Sequence, residues 1–126
     1  MSLPREIEAY LSAQPQPQQD LLRALHDQIA GRIAARQIMV QPVISYRMPG
    51  FRITQGPGAG KMLIGYAGWA RHIGLYPHSG KVIDRIGPLA EGLARSSGAL
   101  SLPLNTACPD ALIDRLIDLR CEEFAT

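Results

Sequence analysis

Hydrophobic residues recur at two different spacings along this chain, and the change in spacing separates helical from strand-forming segments. In residues 4–12 and 21–35 the apolar positions repeat about every three to four residues, the period of a helix with one buried face. From Met39 onward apolar and polar residues alternate, as they do in strands with one buried face. The pattern predicts an N-terminal pair of helices followed by a sheet, with His26 on the surface of the second helix.

The alternating part divides into strands joined by short links. Turns are predicted at Pro49-Gly50 and Gly68-Trp69, and a glycine-rich loop separates the strands between them. Strands connected by links this short pair antiparallel. Later in the chain, residues 99–104 alternate again and predict a further strand.

Helical signals return on both sides of that last strand. Ser79 is predicted as the N-cap of a short helix, and Pro109 opens a C-terminal helix whose apolar face is Leu112, Ile113, Leu116 and Ile117. With 126 residues and 46% hydrophobic content, the chain has the size of one domain. The prediction is a single α+β domain over residues 1–126. It has an antiparallel sheet of about five strands, an N-terminal helix pair, a short helical segment before the last strand, and a C-terminal helix packed on the sheet.

The stretch QGPGAGKML, residues 55–63, looks like a loop that holds phosphate. A P-loop requires a glycine, four free positions, Gly-Lys and then a hydroxyl residue. Here Gln55 stands where the first glycine belongs, and Met62 stands where the hydroxyl belongs. The residues that follow predict a strand, so we interpret this segment as a hairpin connector.

Composition narrows the classes of function. Thirteen basic and eleven acidic residues give a net charge of +2, which is too small to indicate nucleic-acid binding by itself. There is no apolar run near the roughly 20 residues of a membrane span and no signal-peptide pattern, so we expect a cytoplasmic protein without membrane contact. Cys108 and Cys121 lack the spacing of a metal-binding pair and are predicted to be buried thiols.

An aromatic and sulfur-bearing set on or beside the strands is the first candidate site. His72, Gly74 and Tyr76 share one strand face, so an imidazole and a phenol stand together with a gap at the glycine. We recognise no catalytic constellation, and the set predicts a cleft for a small molecule or a peptide. The alternative is that the rings pack beneath the helices. The predicted cleft consists of Tyr46, Met48, Pro49, Phe51, Trp69, His72 and Tyr76.

An acidic stripe on the C-terminal helix is the second candidate site. Its members follow one another at intervals of four residues: Asp110, Asp114, Asp118 and Glu122, with Glu123 beside them. Like charges at this spacing cost a few tenths of a kcal/mol per pair unless a positive charge offsets them. Arg115 and Arg120, or a bound hard cation, would do so. The stripe is interpreted either as a solvated helix face or as a metal site.

Three segments in combination resemble the YdhG-like family of small bacterial domains of unknown function: VISYRMPGFR at 43–52, RHIGLYP at 71–77, and SSGALSLPL at 96–104 followed by PDALIDRLIDLRCEE. The resemblance runs nearly end to end and implies a compact α+β fold. It marks as family-pattern positions Tyr46, Met48, Pro49, Phe51, His72, Gly74, Leu75, Tyr76, Pro77, Gly98 and Arg120. The chain departs from the pattern at Arg47, where glycine is usual, and at Ser97, where lysine commonly precedes the glycine.

One branch of that family is described as a frataxin-like intracellular iron chaperone. The resemblance therefore implies a non-enzymatic iron-delivery protein that would bind iron at the acidic stripe and pass it to acceptor proteins. The alternative is a small-molecule or peptide binding module that uses the cleft. Nucleic-acid binding through Arg47, Arg52, Lys61 and Arg71 is the least favoured hypothesis, because strand alternation would scatter those cations over both faces of the sheet.

Overall fold

A computed structural model of the chain describes residues 3–96 and 98–125. The elements in chain order are α1 (Arg5–Ser12), α2 (Gln16–Ala35), β1 (Val40–Ser45), β2 (Met48–Ile53), β3 (Met62–Gly68), β4 (His72–Tyr76), α3 (Gly80–Arg85), a 3₁₀ turn (Gly87–Ala90), β5 (Ala94–Arg95), β6 (Leu100–Pro103) and α4 (Asp110–Ala125). No helix among the described residues is both long enough and apolar enough to cross a bilayer.

The strands form one antiparallel sheet in the order β1-β2-β3-β4-β6-β5. The predicted α+β class, the N-terminal helix pair and the C-terminal helix are confirmed. The sheet has six strands because β5 pairs with β6. β5 has only two residues and is too short to show any alternation in the sequence. Ser79 is the N-cap of α3, as predicted, and its hydroxyl accepts a hydrogen bond from the backbone N–H of Val82.

The first hairpin turns three residues earlier than the sequence predicts. Ser45 pairs with Met48, so Tyr46 and Arg47 alone form the turn between β1 and β2, with φ angles of 53° and 64°. The predicted turn at Pro49-Gly50 is wrong, because both residues lie inside β2. A two-residue hairpin of this kind needs positive φ at both positions, a conformation that glycine adopts most easily. Arg47 is the position at which the resembled family usually has glycine.

The helices cover one face of the sheet, where the core lies. α2 and α4 pack against each other and on β3, while α1 packs on α2 and β1. Their apolar stripes meet alternate strand residues, and the largest fully buried side chains include Ile7, Leu11, Leu22, Ile29, Ile33, Phe51, Ile64, Tyr66, Leu75 and Leu100. The predicted core face of α4 is confirmed, since Leu112, Ile113, Leu116 and Ile117 are all buried.

His26 belongs to this core, so its predicted surface position is wrong. The residue is only 6% exposed, and its ring lies 5.0 Å from the ring of Phe51. A buried imidazole needs a polar partner. Tyr66 supplies it, with its hydroxyl 2.6 Å from His26 Nδ1. The error arose because α2 lies over the middle of the sheet and buries a wider stripe than the leucines and isoleucines alone define.

The glycine-rich loop is a connector, as predicted, and its own hydrogen bonds use the amides that would otherwise be free to bind phosphate. The N–H groups of Ala59, Gly60 and Lys61 donate to the carbonyls of Gly56, Ile53 and Gly58. Gly58 has φ +84°, and a Cβ there would meet the ring of Phe124 at 2.5 Å. The loop is thus closed on itself and packed against the end of α4.

Candidate functional site on the open face of the sheet

The sheet face turned away from the helices, here called the open face, has a floor of small residues. Side chains alternate along a strand, so the residues that neighbour Phe51, Tyr66 and Leu75 point away from the core. Two cross-strand rows result: Gly50 beside Gly65, and Ala67, Gly74, Ser101 and Ala94 in register from β3 to β5. Such a floor leaves room for larger rings to lie flat on it.

Two of those rings are fixed to each other over Gly74. A Cβ at Gly74 would lie 2.6 Å from the ring atoms of Tyr76, so the tyrosine occupies the space that a side chain there would take. The indole Nε1 of Trp69 donates a hydrogen bond of 2.8 Å to the Tyr76 hydroxyl. The indole also stacks on the imidazole of His72, with ring centroids 6.2 Å apart. The gap that the sequence suggested for a ligand is therefore filled by the protein's own tyrosine.

His78 continues this set, and sequence reasoning missed it. Its φ of +58° turns the chain back after Pro77, and its ring lies 5.4 Å from Tyr46 and 6.4 Å from Tyr76. A Cβ at Gly65 would lie 3.0 Å from His78 Nε2, so the imidazole rests on the glycine floor. We call the five rings together the ring row: Tyr46, His78, Tyr76, Trp69 and His72.

The imidazole of His78 is neutral and has an unsatisfied nitrogen. Nε2 is the one buried side-chain nitrogen or oxygen in the described part of the chain that has no hydrogen-bond partner. Burial lowers the pKa of His78, and the positive charge of Arg120 lowers it further. Buried polar groups are normally paired, so an exception marks a position of interest.

The predicted cleft residues separate onto two faces. Tyr46, Trp69, His72 and Tyr76 are in the ring row. Met48 lies beside them, with its sulfur 3.5 Å from the position of a Cβ at Gly65. Pro49 and Phe51 are buried in β2, and Phe51 packs on the helix side against His26. Met48 and Phe51 lie three residues apart in one strand and so point to opposite faces, which is why a turn predicted between them misplaced Phe51.

The segment of the chain that contains the ring row has basic residues but no acidic ones. Residues 28–83 contain no Asp or Glu, while the segment from β1 to β4 contains Arg47, Arg52, Lys61 and Arg71. None of these four makes an ion pair or a side-chain hydrogen bond with the residues that the structure describes. Arg52 alternates with the buried Phe51 and so belongs to the open face.

A cavity of about 460 Å³, here called the Arg71 pocket, adjoins the ring row at His72. It is lined by Arg71, His72, Ser101 and Pro103 together with residues 92–94. The guanidinium, the imidazole and the hydroxyl are all donors that suit an anion. The cavity thus places anion-binding groups beside stacked rings.

The carboxylates of the acidic stripe form salt bridges with arginines of the neighbouring helices. Arg32 meets Asp114 at 2.6 Å, and Arg36 meets Asp118 at 2.7 Å and Asp114 at 3.0 Å. We call this set the arginine ladder. The hydrogen bond from Arg32 holds the pKa of Asp114 below its usual value.

The two ends of the stripe also have partners. Asp110 accepts a hydrogen bond from the Gln28 amide, and Glu122 pairs with Arg85 on α3. Within residues 3–96 and 98–125, no three His, Cys, Asp or Glu side chains are grouped so that they could hold a metal ion. The charge that offsets the stripe therefore comes from α2 and α3.

Other positions marked by the sequence have structural roles. Arg120 donates two hydrogen bonds to the Met62 carbonyl and lies over the Phe124 ring at 4.4 Å, which ties α4 to β3. Cys108 and Cys121 are free and half-buried, and burial raises the pKa of Cys108 to about 12. Ser97, the other departure from the family pattern, lies outside the described residues.

The fold has a known counterpart. No family model matches the chain, and no curated protein matches it. Among solved structures, the fold is similar to that of YdhG, a DUF1801 family protein from Bacillus subtilis, with a TM-score of 0.73 at 16% sequence identity. The match covers 94% of this chain and 90% of YdhG. The YdhG-like resemblance is confirmed at the level of the fold, and function must be argued from the site.

Proposed function

We propose that this protein is a non-enzymatic binding domain for a small molecule that joins a planar ring to an anionic group, as a nucleoside monophosphate does. The observation that carries the proposal is the ring row, which adjoins the unpaired Arg71 on a sheet whose strands contain no acidic residue. The ligand's ring would stack on the open face, and its anionic group would enter the Arg71 pocket. No bond is made or broken in this function.

The exposed rings support the stacking part of the proposal. Tyr46 is 75% exposed and Trp69 is 49% exposed, and these large apolar side chains would otherwise be expected in a core. The hydrogen bond to Tyr76 fixes the orientation of the indole, so a ligand loses little further side-chain entropy on stacking. Stacking of a base on an aromatic side chain contributes about 1–3 kcal/mol.

The distribution of charge supports the anionic part. On the helix side, Arg23, Arg32, Arg36 and Arg85 are all paired with carboxylates. Arg71 has no such partner among the described residues and lines a cavity together with His72 and Ser101. An anion there would gain charge-assisted hydrogen bonds without first displacing a protein carboxylate.

Iron delivery by the acidic stripe has less support. A ferrous ion at Asp114 or Asp118 would have to displace the bidentate contacts of Arg32 and Arg36. The stripe's like-charge repulsion is already offset by those arginines. The geometry therefore favours the ring row over the stripe as the binding site.

The single tryptophan of the chain, Trp69, provides the test. Titration with AMP should quench its fluorescence in a saturable way, while adenosine and inorganic phosphate should each bind more weakly than AMP. Arg71→Ala should weaken AMP binding about threefold to tenfold. Arg5→Ala is the matched control, because Arg5 is an exposed arginine on α1 and has no ion pair among the described residues. It should leave the affinity unchanged.

A parallel titration followed by amide chemical shifts locates the ligand whether or not the fluorescence responds. Shifts at Trp69, His72 and Ser101 are expected. No shift at millimolar AMP would overturn the proposal, and so would equal effects of Arg71→Ala and Arg5→Ala. Salt-sensitive binding of oligothymidylate in the absence of AMP binding would instead identify a surface for single-stranded nucleic acid.

A further inference from the structure

A second cavity lies on the helix side of the sheet, away from the ring row. It has a volume of about 410 Å³ and is bounded by α2, by the edge strand β1 and by the residues that precede α1. Most of its lining is apolar and includes Leu3, Ala30, Ile33, Ile38, Val40 and Phe51. The volume falls within the roughly 300–1,000 Å³ of small-ligand sites.

The cavity wall contains one deeply buried polar side chain, His26. Its Nδ1 is hydrogen-bonded to the Tyr66 hydroxyl, while Nε2 has no hydrogen-bond partner among the described residues. The Nε2 atom is not fully buried, and His26 lines this cavity. The imidazole therefore presents a free nitrogen to a largely apolar space.

The contact with Tyr66 decides whether that nitrogen carries the proton. Tyr66 is fully buried, and its hydroxyl has no partner other than His26 among the described residues. A buried hydroxyl that does not donate is costly, so the phenol donates to Nδ1. Burial raises the pKa of Tyr66 and lowers that of His26, so the pair stays neutral at neutral pH. The proton of the imidazole is then on Nε2, which acts as a donor.

We infer that this cavity is a second ligand site, for a small apolar molecule with a neutral carbonyl group whose oxygen accepts a hydrogen bond from His26 Nε2. Asp27 lines the same cavity. Its carboxylate would repel an anionic headgroup, so the site favours a ketone, an ester or an amide over a carboxylic acid. The site shares no lining residue with the Arg71 pocket and is independent of the function proposed above.

The test uses three ligands of similar shape: acetophenone, ethylbenzene and benzoate. Acetophenone should shift the His26 ring signals and the amides of α2, while ethylbenzene should bind about fivefold to tenfold more weakly because it lacks the acceptor. Benzoate should bind least. A long-range ¹H–¹⁵N spectrum of the ligand-free protein should show His26 with its proton on Nε2.

Ala30→Leu is the variant of choice, because it fills the cavity from α2 without altering the His26–Tyr66 pair. It should abolish acetophenone binding while the Trp69 fluorescence and the His26 tautomer remain unchanged. Gly31→Ala is the control on the same helix, since a Cβ there contacts nothing within 4 Å. Equal binding of ethylbenzene and acetophenone, the opposite tautomer, or no shift in α2 would each overturn the inference.

Discussion

The two faces of this sheet differ in how their polar side chains are paired. On the helix side, His26 is bonded to Tyr66, and the arginine ladder pairs α2 with α4. On the open face, His78 has a buried nitrogen without a partner, and Arg71 has no carboxylate beside it among the described residues. Both faces contain an imidazole and guanidinium groups, so residue type does not separate them. The difference lies in the guanidinium groups, because Arg32 and Arg36 on the helix side pair with carboxylates and hold the fold, whereas Arg71 on the open face has no such partner among the described residues.

The largest change in stability is expected from a substitution in the glycine floor. In Gly50→Ala the new Cβ would lie 2.9 Å from the Ile64 carbonyl oxygen and 3.1 Å from Gly65 Cα, and backbone atoms cannot move aside cheaply. We expect the free energy of unfolding to fall by about 2–3 kcal/mol. Gly31→Ala in α2 meets nothing and should raise it by about 0.5–1 kcal/mol. Urea unfolding measures both variants, and effects of the same sign would contradict the close packing of β2 against β3 at Gly50.

A smaller effect is expected from the arginine ladder. Asp114→Asn removes a carboxylate that contacts both Arg32 and Arg36, and it should lower the free energy of unfolding by about 1–2 kcal/mol at neutral pH. Asp84→Asn, at an exposed position on α3, should change it by less than about 0.5 kcal/mol.

The same pair of variants has a defined pH dependence. The pKa of Asp114 is lowered in the folded state, so its stabilising contribution is complete above its ordinary value of 3.8 and is lost as the pH falls below it. The difference between the wild-type protein and Asp114→Asn should therefore shrink in acid. A difference that stays constant down to the acid transition would show that the ladder contributes little through charge.

The smallest effect is expected at the tip of the first hairpin. Arg47 has a φ of 64°, which disfavours any side chain with a Cβ, so Arg47→Gly should raise the free energy of unfolding by about 0.5–1 kcal/mol. Arg52→Gly removes the same side chain within β2 and should lower it by a similar amount, because glycine weakens a strand. Thermal unfolding of the two variants should show shifts of opposite sign, and a loss of stability in both would argue that the Arg47 side chain stabilises the turn.

Much of the fold could be predicted from local patterns. The stripes of α2 and α4 and the hairpin loop follow from residue periodicity and from glycine placement. The turn at Tyr46 and Arg47 could not be predicted, because neither residue has a turn preference, while the neighbouring Pro49-Gly50 pair has a strong one. β5 could not be predicted because a strand of two residues is too short to show an alternation of apolar and polar positions.

The candidate site was only partly predictable. Most of the ring row follows from its position on or beside strands, but His78 was missed because a positive φ after Pro77 folds it back over Gly65. The partners of the acidic stripe depend on the packing of α2 against α4, which no local pattern encodes. The sequence shows that no acidic residue lies between Asp27 and Asp84. The structure adds that β1 to β4, which lie within this interval, are neighbours in one sheet.

The pairing of Arg32 with Asp114 has a further consequence for the unfolded chain. These residues are 82 positions apart, so their contact closes a long loop. The strands from β1 to β4 pair with their neighbours in the chain, and every ring of the row lies between Tyr46 and His78. Loop-closure entropy rises with loop length, so the ring row forms through contacts that close short loops, whereas the arginine ladder stabilises a contact that closes a much longer loop.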